Sequence, residues 1–269
     1  MSYNTYAIHT VPTIQYIKHL GAVDLLCIIF LLQSRKMATL SRLRQLRGIN
    51  LLPMARNMSS ASYAYQHLAV TQPAEFVLHA ELNRPTKMNA LNNELWHEIG
   101  DFFTKAGHDA DCRCIVLSGS GKMFTSGIDL TDLSELAAVI YSEDDIARKS
   151  TMMYAKIKNL QNLFTTLEKC PKPVIGAIHS ACIGGGVDLI TATDIRVCTK
   201  DAWFQVKEVD MGLTADVGTL QRLPKVLGSQ SLVSDLCLTA RKMQSDEAER
   251  VGLVSKVFES KEEMMEGAV

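Results

Sequence analysis

One segment near the middle of the chain restricts the possible folds most, because an apolar strand, a run of glycines and a helix follow one another closely. Residues Val174–Ile178 lack polar side chains, and Gly184, Gly185 and Gly186 precede the apolar residues that start at Val187. Such a run is typical of a strand buried on both faces. Glycines at the start of a helix leave backbone N–H groups free to meet a ligand. The segment therefore predicts an α/β fold with a ligand site at this turn.

Composition indicates one globular domain that binds a small molecule. The 269-residue chain is 47% hydrophobic and 21% charged, which is enough apolar material for one sizeable core. Its 28 basic and 29 acidic side chains nearly balance, so no large electric field attracts nucleic acid or a membrane surface. No long linker divides residues 66 to 260. We therefore expect a small-molecule partner.

Strand–strand–helix order recurs along this part of the chain, and the hydrophobic periodicity gives approximate bounds for each element. A helix around 91–103 should bury one face, because its apolar residues recur at helical spacing. The predicted strands are Phe76–Leu82, Arg113–Ser118, Val174–Ile178, Ile195–Thr199 and Trp203–Val206, and further helices are predicted at Asp144–Leu167, Leu220–Leu227, Ser231–Thr239 and Asp246–Val251.

The N-terminal region has a different composition from the rest. The stretch Leu25–Ala74 contains no Asp or Glu but several Arg and Ser residues, which is typical of a mitochondrial transit peptide. Its apolar run Leu25–Leu32 is shorter than the roughly 20 residues that a membrane-spanning helix needs. A secretory segment is the alternative, and a start at Met37 would also give a conventional presequence, with residues 1–36 as an optional extension. We predict that residues 1–65 are an extension with a mitochondrial transit peptide, and that 66–269 form the folded domain.

The cysteines favour a reducing compartment. The chain has seven of them, an odd number, and no pair is spaced as C-x-x-C. Cys112 and Cys114 would share one face of a predicted strand. No second pair of metal-ligating type lies near them, so we interpret them as small buried hydrophobic residues.

Two glycine-containing turns are candidates for an oxyanion hole. The loop 119–130 lacks the pattern of a nucleotide-binding P-loop, because Val116 and Met123 stand where Gly and Ser or Thr are required. Backbone amides near Ile128 and Gly185 could instead meet at one oxygen, such as that of a thioester becoming an enolate. For either turn alone, simple turn geometry is the plainer explanation.

Three acidic residues follow in a largely apolar stretch: Asp188, Glu208 and Asp216. Burial would raise their pKa values, and mutual repulsion would keep at least one protonated, so the group could supply both an acid and a base. An ordinary surface carboxylate is the alternative for each. No His lies at ligand spacing from Glu208 or Asp216, which argues against a metal site. No G-x-S-x-G sequence is present, so we interpret His179 as structural.

These motifs, in this order, resemble those of the crotonase superfamily, and the similarity runs from about Phe76 to Phe258. The resemblance implies a spiral of repeated β-β-α units and binding of an acyl-CoA thioester, with no cofactor beyond the coenzyme A of the substrate. The residues that carry it are Asn83-Arg84-Pro85, Asn89-Ala90-Leu91, Phe124–Leu130, Pro171–Ile175 and Gly184–Gly186.

Within that superfamily, residues 207–224 resemble the mitochondrial Δ3,5-Δ2,4-dienoyl-CoA isomerases, and Asp216 is the discriminating residue. Enoyl-CoA hydratases use glutamates at the positions of Asp188 and Glu208 and lack an acid at the third position. The resemblance implies that Asp216 takes a proton from C2 and Glu208 delivers one to C6, although the two roles could be exchanged. Asp188 would tune the pocket. Ser126, Gly127, Ile128, Asp129, Leu130 and Gly185 would bind substrate and hold the thioester oxygen.

The resemblance also implies an assembly and a location. Family members form homotrimers or homohexamers through helices that continue beyond the position of Phe258, whereas this chain stops at Val269, which predicts a shortened C-terminal helical region. The expected location is the mitochondrial matrix, with peroxisomes as a further destination. An enoyl-CoA hydratase and an inactive acyl-CoA-binding product are the alternative functions.

Overall fold

The computed structural model of the protein describes residues 63–142 and 145–269. The predicted transit peptide lies in residues 1–65, almost all of which are outside the described residues. In the part that is described, no helix is both long enough and apolar enough to cross a membrane.

The described residues fold into alternating strands and helices, as the sequence predicts. Two short 3₁₀ helices, Pro85–Lys87 and Glu208–Met211, lie in loops between them. The strands are β1 Leu68–Ala74, β2 Val77–Leu82, β3 Cys114–Gly119, β4 Val174–Ile178, β5 Ala181–Ile183, β6 Ile195–Thr199, β7 Trp203–Gln205, β8 Met243–Gln244 and β9 Lys256–Phe258. The helices are α1 Asn93–His108, α2 Leu130–Ile140, α3 Ile146–Glu168, α4 Gly185–Ile190, α5 Thr219–Leu227, α6 Gln230–Thr239, α7 Ser245–Arg250 and α8 Lys261–Ala268.

Two sheets share these strands in a repeating way. The larger sheet has the order β1-β2-β3-β4-β6-β9, with β1 antiparallel to β2 and the other neighbours parallel. The smaller sheet has the order β5-β7-β8. From β4 to β7 consecutive strands alternate between the sheets, since β4 and β6 join the larger sheet while β5 and β7 join the smaller one. This alternation is the predicted α/β spiral of β-β-α units.

All predicted strands and helices are present, with bounds that differ by a few residues. The long helix predicted at Asp144–Leu167 begins at Ile146, because the carboxylate of Asp145 accepts hydrogen bonds from the amides of the first turn and caps it. The elements β1, β5, α2, β8, β9 and α8 were not predicted from the sequence. Five of these six lie at the ends of the described domain or contain only two or three residues.

The hydrophobic core lies between the larger sheet and the helices α1 and α3. The apolar face predicted for α1 is buried, since Leu95, Ile99 and Phe102 are fully shielded from solvent. Trp96 of α1 stacks on Phe164 of α3, with ring centroids 4.0 Å apart. This contact fixes α3 against α1 and thereby sets the position of one wall of the cavity described below.

Cys112 and Cys114 differ in part from the prediction. Cys112 is buried but precedes β3, so it does not share a strand face with the half-buried Cys114 that begins that strand. Burial raises the pKa of both thiols, as expected for small residues packed in apolar surroundings. All six cysteines within the described residues are free thiols.

Asn89 joins two loops that lead into the candidate site. It is fully buried and has a left-handed backbone, with φ of 52°. Its side-chain oxygen accepts from the Arg84 amide at 2.9 Å, and its amide group donates to the carbonyl oxygens of Ser120 and Met123 at 2.7 and 2.9 Å. One side chain thus holds the turn after β2 against the loop after β3.

We predict that Asn89→Ala lowers the free energy of unfolding by about 2–4 kcal/mol, because it removes three buried hydrogen bonds and leaves their backbone partners unpaired. Urea denaturation measures this loss. Asn162→Ala is the control, since Asn162 is exposed on α3 and its truncation should change stability by less than about 0.5 kcal/mol. Equal effects of the two substitutions would contradict the role given to Asn89.

Candidate active site

A cavity of about 360 Å³ opens beside the glycine turn that precedes α4. Its walls come from the loop after β3, the turn between β5 and α4, the 3₁₀ helix at Glu208 and the loop before α5. The sequence-predicted residues that line it are Ser126, Gly127, Ile128, Leu130, Gly185, Glu208 and Asp216. The cavity therefore brings together seven of the nine predicted site residues.

Backbone hydrogen bonds fix the direction of the Ile128 amide. The Leu91 amide donates to the Gly127 carbonyl at 2.8 Å, and the Asp129 amide donates to the Leu91 carbonyl at 3.0 Å. In a parallel bridge of this kind, the residue between the two bonds directs its own N–H away from the neighbouring chain. The Ile128 N–H is thus left for a ligand in the cavity that Ile128 lines.

The glycine turn supplies the second amide. The Gly184 amide donates to the Gln205 carbonyl at 2.8 Å, which attaches the turn to β7. Gly185 is the first residue of α4, so its N–H has no acceptor inside the helix. The two turns are in contact, because a Cβ added to Gly127 would lie 2.8 Å from the Ile183 carbonyl oxygen. Ile128 and Gly185 therefore both line this cavity, and neither backbone amide has an acceptor among the described residues, which is compatible with an oxyanion hole.

Two carboxyl groups face the same cavity. Glu208 begins the 3₁₀ helix, and its Oε1 atom lies 3.3 Å from the position of a Cβ added to Gly184. Its Oε2 atom is buried without a hydrogen-bond partner among the described residues. Asp216 lies in the loop before α5 and is half-buried. Burial is the main cause that raises the pKa of each carboxyl, and it therefore favours the protonated form of both groups.

Asp188 takes a different position from the other two acids. It is fully buried on α4 and does not line the cavity. Its Oδ1 atom accepts a hydrogen bond from the Thr219 amide at the start of α5, and its Oδ2 atom has no partner in the described part of the chain. Burial, followed by the nearby charge of Glu208, raises its pKa. Asp188 can therefore act on substrate only through Glu208 or through the position of α5.

Asp129 also lies outside the cavity lining. Its carboxylate forms an ion pair with Arg84 at 2.9 Å, and it accepts from the Thr131 amide at 3.0 Å near the start of α2. Arg84 is the main cause that lowers the pKa of Asp129. The structure thus gives Asp129 contacts that hold the loop in place.

The apolar wall of the cavity was missed by the sequence analysis. Met153, Ile157 and Leu160 line the cavity from α3, one helical turn apart along the same face. That spacing could have been read from the sequence, although it would have indicated only a core-facing stripe. Other residues missed are Trp96, Leu133, Lys207, Met211, Leu213, Thr214 and Val217.

Two other predictions concern neighbouring groups. His179 is buried, and its Nε2 atom lies 3.0 Å from the Gly121 carbonyl, a structural contact of the kind predicted for it. Within residues 63–142 and 145–269, no group of three or more His, Cys, Asp or Glu side chains is arranged to hold a metal ion.

Comparison with known sequences decides the family. Residues 73–269 match the family described as Enoyl-CoA hydratase/isomerase. The chain belongs to this family.

Individual relatives agree with that membership. A Mus musculus protein named Delta(3,5)-Delta(2,4)-dienoyl-CoA isomerase, mitochondrial, is 56% identical over 209 residues, which are 77% of this chain and 63% of the relative. An Arabidopsis thaliana protein named as the peroxisomal isomerase is 46% identical over 210 residues, 78% of this chain and 75% of the relative. The chain thus spans less than two thirds of the mouse relative's length.

Solved structures support the fold. The crystal structure of a probable enoyl-CoA hydratase/isomerase from Mycobacterium abscessus superposes with a TM-score of 0.64 at 34% sequence identity. The match covers 75% of this chain and 73% of that structure. The predicted crotonase-like fold is therefore confirmed.

We predict that Gly127→Ala lowers the free energy of unfolding by at least about 2 kcal/mol more than Gly252→Ala. Both glycines have positive φ, 90° and 81°, so both substitutions carry backbone strain. Only at Gly127 would the added Cβ meet backbone, since nothing lies within 4 Å at Gly252. Urea denaturation of both variants measures the difference, and equal losses would show that the two turns are not in tight contact.

We predict that Asp188→Asn stabilises the protein at pH 8 by about 1–3 kcal/mol, since each pKa unit corresponds to about 1.4 kcal/mol. The pKa of Asp188 is raised by folding, so the stability that its carboxyl contributes is fully present below about pH 4 and is lost as pH rises through the folded-state pKa. The variant should therefore lose less stability than the wild type between pH 5 and pH 8.

Urea denaturation at both pH values tests this expectation. Asp246→Asn is the control, because Asp246 is exposed and its neutralisation should change stability by less than about 0.5 kcal/mol. An Asp188→Asn protein that is less stable than the wild type at pH 8 would contradict the prediction.

Proposed function

We propose that this chain catalyses the conversion of 3,5-dienoyl-CoA to 2,4-dienoyl-CoA during the β-oxidation of unsaturated fatty acids. The observation that carries the proposal is that Glu208 and Asp216 line one largely apolar cavity together with Ile128 and Gly185, whose amides have no acceptor in the described part of the chain. Two acids and an oxyanion hole are what a proton transfer along a conjugated thioester requires.

The reaction consists of two proton transfers and no redox step. The carboxylate of Asp216 removes a proton from C2, and the electron pair moves onto the thioester oxygen to give a dienolate. The amides of Ile128 and Gly185 stabilise this oxygen by hydrogen bonding. Glu208 in its protonated form, which burial favours by raising the pKa, delivers a proton to C6 as the double bonds shift. The proton left on Asp216 then returns to Glu208, which restores the starting state.

The position of Asp188 favours isomerisation over hydration. In the resemblance described above, the hydratases use acids at the positions of Asp188 and Glu208. Here Asp188 is fully buried outside the cavity lining, whereas Asp216 lines it. A water molecule held between Asp188 and Glu208 would therefore not face a substrate, while a diene held between Glu208 and Asp216 would.

The apolar wall and the names of the relatives suggest the substrate class and the location. Met153, Ile157 and Leu160 form a surface suited to the hydrocarbon chain of a fatty acyl-CoA. The mouse relative is named as mitochondrial and the Arabidopsis relative as peroxisomal. The proposal includes the mitochondrial matrix as the location, with peroxisomes as a further one.

We predict that Glu208→Gln and Asp216→Asn each lower kcat by about 10²–10⁴-fold with 3,5-octadienoyl-CoA, because each removes one proton-transfer group. Formation of the conjugated 2,4-dienoyl thioester is followed by ultraviolet absorbance. Glu262→Gln is the control, since Glu262 is an exposed acid on α8 and does not line the cavity. Its kcat should stay within about twofold of the wild type.

Three outcomes would contradict parts of the proposal. A folded wild-type protein without isomerase activity would contradict the proposed isomerisation. Hydration of a 2-enoyl-CoA in place of isomerisation would favour a hydratase. Tight binding of acyl-CoA without either reaction would favour a protein that only binds acyl-CoA.

A further inference from the structure

We propose that Gln161 and Gln221 are positioning residues that together hold the backbone at Asp216 so that its carboxyl group faces the cavity. The catalytic consequence of this inference rests on the proposed function, whereas the structural part does not. Neither glutamine lines the candidate active site.

Both glutamines bind the same backbone atom. The Nε2 atom of Gln161, from α3, donates to the carbonyl oxygen of Asp216 at 2.8 Å. The Nε2 atom of Gln221, from α5, donates to the same oxygen at 2.8 Å. A carbonyl oxygen has two lone pairs, so both bonds can form together. Asp216 is thus held from two helices at one point.

The neighbours of Asp216 are held by other contacts, since Ala215 is buried in the core and the Leu213 amide donates to the Glu208 carbonyl at 2.9 Å. Residues 213–218 nevertheless belong to neither a helix nor a strand. The Asp216 amide itself donates to the Thr214 carbonyl two residues earlier, at 2.9 Å. Because hydrogen bonds within such a short turn do not anchor it to the rest of the fold, the two glutamines supply the long-range attachment at this residue.

The pair Gln161 and Gln221, called the clamp from here on, lies on the opposite side of residues 213–218 from the candidate active site. A second, polar cavity of about 230 Å³ is lined by both glutamines and by Val217, and Val217 also lines the active-site cavity. The segment is therefore a thin wall, with the Asp216 carboxyl on the apolar side and the two amide groups on the polar side.

The clamp also connects the two parts of the active site. Leu160 and Ile157 of α3 form part of the apolar wall, and Gln161 extends from the same helix. A shift of α3 would therefore move both the surface for the acyl chain and the carboxyl group that exchanges protons. Since a misplacement of about 1 Å can lower a rate by roughly 10²-fold, this shared attachment should matter for kcat.

The test compares wild type with the double variant Gln161→Met/Gln221→Met, in which methionine keeps the length of each side chain but removes the donor. We expect kcat with 3,5-octadienoyl-CoA to fall by about 10–100-fold while KM changes by less than about twofold. Amide hydrogen exchange in residues 213–218 should become at least about tenfold faster. Asn162→Leu is the matched control, because Asn162 lines the same polar cavity without a bond to Asp216.

The pH profile separates positioning from general destabilisation. Burial raises the pKa of Asp216, so release of the segment should expose the carboxyl and lower its pKa towards the ordinary value. The acidic limb of the kcat profile should then move to lower pH in the double variant. A purely structural role would lower the amount of folded enzyme without moving this limb.

Each outcome decides the inference. Unchanged kcat and unchanged exchange in the double variant would overturn it, and so would faster exchange over the whole protein with an unmoved acidic limb. If the folded wild type does not isomerise the substrate, the proposed function fails. The exchange of residues 213–218 then decides the clamp alone: local acceleration supports it, and no acceleration overturns it.

Discussion

The backbone of residues 125–129 is hydrogen-bonded to a different part of the chain on each side, and the candidate site depends on this arrangement. Towards β5, the Thr125 amide donates to Ala181 and the Ile183 amide donates to Thr125, at 3.1 and 3.2 Å. Further along, residues 127 and 129 bond to Leu91. Because this backbone is hydrogen-bonded both to β5 and to Leu91, the direction of the Ile128 amide is fixed before any ligand binds. An oxyanion hole works only when its donors need no reorganisation during the reaction.

The three acidic residues of the site differ in burial, and burial is the largest cause of their raised pKa values. Asp188 is fully buried and has one oxygen bound to the start of α5, whereas Glu208 and Asp216 are half-buried beside the cavity. After burial, the nearby charge of Glu208 is the next cause that raises the pKa of Asp188, so Asp188 can help to keep a proton in the site without touching substrate.

Much of the fold followed from local patterns, and the parts that did not follow share a physical reason. The apolar run Val174–Ile178 is buried in the middle of the sheet, so its composition alone indicated a strand. In contrast, β1 contains Pro73 and lies at the sheet edge, where neither uniform apolarity nor clear alternation is required. The acids Glu208 and Asp216 were predicted from motif and setting, but the separate position of Asp188 depends on the approach of α5, which is a tertiary contact.

The hydrogen bonds that Gln161 and Gln221 donate to Asp216 are also tertiary contacts, so they could not be predicted from the sequence. Gln161 and Asp216 are 55 positions apart, and a glutamine on a helix normally indicates only a solvated face. What gives it a function is that α3 packs against α1 through Trp96 and Phe164, which brings one face to the apolar cavity and turns Gln161 to the loop. The aromatic contact, the apolar wall and the acid are therefore connected through a single helix. A change in the packing of α3 should therefore displace the Asp216 carboxyl before it lowers the stability of the protein.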